Sequence, residues 1–204
     1  MNKNYCRPKA PVSCEIEIKN SRFIGLLAPA FSSADCSELL TQARLTWPKA
    51  SHYCTASILG SPLSSQQQAS SDDGEPSGTA GRPMLNVLQH APIGDVAVVV
   101  VRYFGGVKLG TGGLQRAYSQ TVAEAINQVS LVEVIFREHY RISYPYQLQG
   151  EIESLWQRFD VTLDNSQFSD HVSQQVAIIP SQREAIQQRL DAVSQGQIKL
   201  IAVN

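Results

Sequence analysis

Nine of the thirteen glycines in this 204-residue chain fall between Gly74 and Gly113, and charged side chains are interleaved with them. The first cluster, DDGEPSGTAG, carries Asp72, Asp73, Glu75 and Gly78, with Arg82 just after it. The second, GGVKLGTGG, supplies Gly105, Gly106, Lys108, Gly110, Gly112 and Gly113; Arg102 and Tyr103 precede it and Arg116 follows. Glycine is used where the backbone needs positive φ or must approach something closely. A glycine loop between a strand and a helix aims free N–H groups and a helix dipole at one point, which suits phosphate or carboxylate. Arg102, Lys108 and Arg116 add positive charge there. A tight strand-to-helix connection is the competing reading. The glycine density and the flanking bases favour an anion site.

Two known phosphate loops fail on this segment. Gly105 and Gly110 have P-loop spacing, but Thr111 stands where the phosphate-reaching lysine belongs. A dinucleotide fingerprint starting at Gly110 and Gly112 needs Gly or Ala where Gln115 stands. We read Arg102 as an anion ligand at the end of an apolar strand. Its alternative is an internal strut paired to Asp72 or Asp73.

Other chemistry is weaker. His52 and Cys54 share one face of a strand and could form a metal pair or a thiolate beside its base, but two ligands do not make a metal site. Two half-buried sheet residues is the better reading. Asp72, Asp73 and Glu75 could bind Mg²⁺ or act as acid and base, form a turn that bonds its own backbone, or lock Arg82 or Arg102 in place. Ser70 and Ser71 lack a nucleophile elbow, and no H-E-x-x-H motif exists. No metal site or catalytic set is expected.

The elements that must position these residues follow from periodicity. Val12, Cys14, Ile16 and Ile18 alternate with polar residues as a half-buried strand, turned at Asn20-Ser21 into a return over 22–28. Ser33 or Asp35 caps a helix bearing Leu39, Leu40, Ala43 and Trp47, and a third strand spans 52–59. The stretch 60–71 reads as an exposed, mobile loop. A helix begins near Pro83, DVAVVVVRYF is a strand buried on both faces, and a second helix begins near Gly113. Beyond Ser130 come a strand over 131–144, a helix over 145–159 and strands over 161–166 and 172–179. A helix with a Ser181–Glu184 capping box and a strand over 198–203 complete a β-α-β-β-α-β, ferredoxin-like unit. The fold class is α+β, in two domains, 1–134 and 135–204. In REHYRISYPY, Tyr140, Tyr144 and Tyr146 interleave with Arg137 and Arg141, which an RNA-stacking sheet would need. The domain carries 8 acidic against 6 basic residues from Phe136 on, so a solvated alternating strand is the better reading.

Net charge is −1 and hydrophobic residues make up 43%, so the chain is neither a polycation nor disordered. Any nucleic-acid contact must be a local patch. The N-terminal segment has no apolar run or cleavage motif, the longest apolar run is far short of a membrane span, and the four cysteines show no C-x-x-C pair. A cytoplasmic, reduced protein is expected.

SSDDGEPSGTAGRPML followed by VVVVRYFGGVKLGTGGLQRAY resembles the signature of the IMPACT family. The likeness extends to KNSRFIG around Arg22 and to the H-x-C at His52 and Cys54, and the C-terminal unit is similar to that of the bacterial members. It implies a two-layer N-terminal α/β domain like domain IV of elongation factor G and a C-terminal domain like its domain V. It also implies a link to translation. Eukaryotic members regulate an initiation-factor kinase through its ribosome-associated activator. The expectation is a non-enzymatic module that binds RNA or a ribosome-associated protein, with no membrane role. The alternative is a nucleotide- or phosphate-binding enzyme using Gly105–Gly113, with Mg²⁺ at Asp72 or Asp73.

Overall fold

The computed structural model describes residues 4–62 and 67–203. The chain divides into two compact units, Met1–Val134 and Ile135–Asn204. The first holds β1 (Tyr5–Pro8), β2 (Val12–Ile18), β3 (Ser21–Pro29), α1 (Ser33–Thr46), β4 (His52–Ile58), β5 (Gln68–Ser71), α2 (Gly81–His90), β6 (Val96–Tyr103), α3 (Thr111–Gln128) and β7 (Leu131–Val134). The second holds β8 (Glu138–Tyr144), α4 (Gln149–Arg158), β9 (Thr162–Phe168), β10 (Val172–Ile178), α5 (Arg183–Ser194) and β11 (Ile201–Ala202).

In the first unit β2-β3-β6-β4-β5 form an antiparallel sheet. Strand β6 lies at its centre, as an unbroken run of β-branched residues requires. Val96, Val98 and Val100 face one core with Met84, Leu88, Leu114, Tyr118 and Val122, so α2 and α3 cover that side. Ala97, Val99 and Val101 face the other core with Leu39 and Ala43 of α1. Strands β1 and β7 pair separately.

The second unit is an antiparallel sheet in the order β11-β8-β10-β9. That order makes two interleaved βαβ units, the ferredoxin-like arrangement. Ile152 and Trp156 of α4 and Ile186 and Leu190 of α5 bury against Ile142, Val172, Val176 and Ile178. Tyr140 and Tyr144 face this core while His139, Arg141 and Ser143 are exposed, so the interleaved tyrosines of β8 form no stacking surface.

Several local expectations are corrected. The first hairpin turns at Lys19-Asn20, both at positive φ, and the return strand already includes Ser21; paired left-handed residues match the twist of a two-residue hairpin. The cap of α1 is Ser32, whose side chain and that of Asp35 satisfy each other's backbone amides. Part of the expected loop 60–71 is strand, because Gln68–Ser71 pairs with β4 as β5; residues 63–66 lie outside the described residues. The apolar stretch after Ser130 splits between β7 of the first unit and β8 of the second. A 3₁₀ turn at Pro180–Gln182 leads into α5, and no Ser181–Glu184 capping box forms. Among the described residues no helix is long and apolar enough to cross a membrane.

Candidate functional site

The residues singled out in the glycine-rich segment divide into a buried inner set and an exposed outer set. The inner set centres on Glu75, carried by the turn that links β5 to α2. Its Oε1 accepts from Arg102 Nη1 at 2.6 Å and from the Tyr118 hydroxyl at 2.8 Å. The Arg102 and Glu75 side chains are 6% and 3% exposed. The Arg102 guanidinium also stacks between the Phe23 and Phe104 rings, 5.4 and 5.5 Å from their centroids. Arg102 is therefore a strut, and its partner is Glu75 rather than Asp72 or Asp73. The guanidinium is deeply buried, and its Nε makes no hydrogen bond among the described residues.

The two aspartates hold the chain in place. Asp72 accepts from the amides of Gly78, Ala80 and Gly81 at 2.8–2.9 Å, closing the turn over the start of α2. Burial would raise its carboxyl, but these three amides together hold it below the usual carboxylate range. Asp73, at positive φ, accepts from the Tyr53 amide at 2.7 Å and from Arg44 at 3.2 Å. Their oxygens are taken up by protein N–H groups, and this donor set does not fit Mg²⁺. No group of three or more metal-ligating side chains exists among the described residues.

His52 and Cys54 join the same network from β4. His52 Nδ1 lies 2.8 Å from the Asp73 carbonyl, which only accepts, so Nδ1 carries the proton; Nε2 is 3.9 Å from Glu75. The Cys54 thiol donates to the Asp72 carbonyl at 3.0 Å. Burial, opposed by a hydrogen bond to Tyr118, pushes that thiol up to about 12, so it is no nucleophile at neutral pH. Tyr118 is also pushed well up, first by burial. Tyr103 points away: its hydroxyl donates to the Pro48 carbonyl and Arg22 lies over its ring. The amide of Gly105 donates to Ser21 Oγ, and a Cβ at Gly105 would fall 2.1 Å from the Asn20 backbone. Gly105 is thus a packing glycine.

The outer set is solvent-facing. Gly106 and Gly110 take positive φ of 83° and 72°. Gly110 caps α3 without a side chain, and among the described residues no acceptor meets the amides of Thr111, Gly112 and Gly113. Lys108 is exposed in the loop. Arg116 donates from Nε to the Gly112 carbonyl, leaving its outer nitrogens to solvent. Arg82, on the first turn of α2, lines the same groove mouth with Gly78, Gly112 and Arg116. Among the described residues Arg82, Lys108 and Arg116 have no ion pair. Phe104, 49% exposed, stands at the loop's start.

Sequence reasoning missed the part played by Tyr118, His52 and Cys54 in the inner network. Tyr118 falls at an apolar position of α3, and its hydroxyl needs a buried partner that only the fold identifies.

The Impact N-terminal domain family matches residues 19–126, and a family described as a domain of unknown function (DUF1949) matches residues 142–197. Over 201 residues the chain is 37% identical to a protein of Escherichia coli (strain K12) named IMPACT family member YigZ, covering 98% of both. It is 35% identical to an IMPACT family member of Haemophilus influenzae, covering 95% of this chain and 94% of that one. A crystal structure described as that of a hypothetical protein is 36% identical and covers 100% of this chain and 99% of its own, with a TM-score of 0.73.

Proposed function

This chain belongs to the IMPACT family, and from that premise we propose that it is a non-enzymatic RNA-binding protein of the cytoplasm that acts in the regulation of translation on the ribosome. The observation that carries this reading is the uncapped start of α3. There the unmatched amides of Thr111–Gly113 meet solvent beside Arg82, Lys108 and Arg116, which have no ion pair among the described residues. No Asp or Glu lines the groove mouth that Arg82, Gly112 and Arg116 share. Unmatched N–H groups, a helix dipole and unneutralised cations together favour phosphate oxygens. Exposed Phe104 at the loop's start offers a ring on which a base could stack.

The alternative of a phosphate-ligand enzyme gains nothing from the inner set. Asp72 and Asp73 are engaged in closing turns, Arg102 is engaged by Glu75, and the Cys54 thiol is held protonated. Sedimentation of lysate through a sucrose gradient tests the proposal. At low salt the protein should travel with ribosomal particles and leave them as salt rises. A protein that stays at the top of the gradient at low salt contradicts it.

A further inference from the structure

We propose that the groove between α2 and α3 docks an amphipathic helix of a partner protein, about three turns long, with carboxylates at the end that meets Arg82 and Arg116. The groove encloses about 960 Å³ and runs from the first turns of both helices to His90, Ile126 and Asn127 at their ends. The two helices therefore run parallel, with both N-termini at the arginine end. The ten residues of α2 set its length at roughly 15 Å.

The floor is apolar and regular. Pro83 and Val87 lie four residues apart on α2, Ala91 follows at its C-terminal cap, and Ala123 and Ile126 line the groove from α3. All five are half-buried. An apolar trough between two helix ridges accepts a third helix through side chains spaced three and four apart. Charge complementarity selects its partner's end. The lining includes Arg82 and Arg116 but no Asp or Glu, and neither arginine has an ion pair among the described residues. A nucleic-acid strand suits the floor poorly, because no Phe, Tyr or Trp lines it. The apolar floor belongs to this inference alone, while Arg82 and Arg116 are shared with the RNA reading, so the two occupants compete at the arginine end.

The experiment places a photo-crosslinking residue in the full chain, Asn86→p-benzoylphenylalanine, on the groove's α2 rim. Irradiated cells are analysed by mass spectrometry, and the captured segment is synthesised as a peptide. The expected result is crosslinking to a protein segment with apolar residues at i, i+3, i+4 and i+7 and Asp or Glu at one end. The peptide should bind the purified chain, and Ala123→Gln should weaken it by about tenfold or more. Arg116→Ala should weaken it roughly three- to tenfold. Binding of bulk ribosomal RNA should be unchanged by Ala123→Gln, which separates failure of this inference from failure of the RNA reading. Crosslinks only to RNA or to a second copy of this chain, no crosslink at all, or a peptide indifferent to Ala123→Gln overturns the proposal.

Discussion

Arg102 Nη1 and Glu75 Oε1 meet at 2.6 Å inside the N-terminal unit, with both side chains more than nine-tenths buried. The pair ties the end of the central strand to the turn before α2, and Tyr118 donates to the same oxygen from α3. Three elements are thus held by one carboxylate. Removing one partner strands a buried charge, which costs about 3–5 kcal/mol. Arg102→Ala should lower the unfolding free energy of the N-terminal unit, read from urea melts, by that amount. A loss below about 1 kcal/mol would show that the pair is not a strut.

The pH dependence of stability should trace in part to Asp72. Its folded carboxyl lies below the ordinary range because three backbone amides outweigh the cost of burial. A depressed carboxyl stabilises the fold above the unfolded value, near 3.9, and that stability is lost as pH falls through the folded value. Asp72→Ala should therefore cost about 1–3 kcal/mol at pH 7 and progressively less toward pH 3. Urea melts at both pH values check this. A cost independent of pH would mean that the amides do not select the ionised form.

Thiol reactivity should separate the four cysteines. Cys14 and Cys54 are buried, and burial raises both thiols, Cys54 to about 12. Native protein at pH 8 should react rapidly with Ellman's reagent at no more than Cys6 and Cys36, which are half-buried. All four should react in urea. Rapid native modification of Cys54 would contradict the closed inner network.

The two glycine clusters were legible in the sequence as the place to look, and so were the α+β class and the ferredoxin-like C-terminal unit. The periodicities that revealed them are local: alternation at Val12–Ile18, the unbroken run in β6, helical spacing in α3. The division of the site into inner and outer sets was not legible. Arg102 and Arg116 both flank the same glycine loop, yet one is 5% exposed and the other faces solvent. Only pairing across the fold decides this. Glu75 reaches Arg102 because β5 pairs with β4, and β5 lies in a stretch that reads as a polar loop. Edge strands made of Gln, Ala and Ser carry no hydrophobic alternation to announce them.

Gly105 and Gly112 should respond oppositely to alanine. At Gly105 the added Cβ meets the Asn20 backbone at 2.1 Å, so Gly105→Ala should destabilise the fold. At Gly112, in the first turn of α3, the Cβ meets open space, and alanine favours the helix by about 0.5–1 kcal/mol. Gly112→Ala should therefore hold or raise thermal stability while weakening RNA binding, since the methyl covers the amides at the groove mouth. Unchanged RNA affinity in a stable Gly112→Ala protein would move the contact away from the start of α3.

The salt dependence of RNA binding reports on the basic surface at the start of α3. Filter binding of bulk ribosomal RNA is measured from 50 to 300 mM salt for the parent chain and for Arg82→Ala, Lys108→Ala and Arg116→Ala, singly and combined. These side chains are exposed and without ion pairs among the described residues, so the variants should fold with stability within about 0.5 kcal/mol of the parent. Each single change should weaken binding and lower the slope of log affinity against log salt by roughly 0.7–0.9, and the triple change by roughly two to three such steps. Parent protein that binds RNA with the slope and affinity of the triple variant would contradict the assignment of this surface.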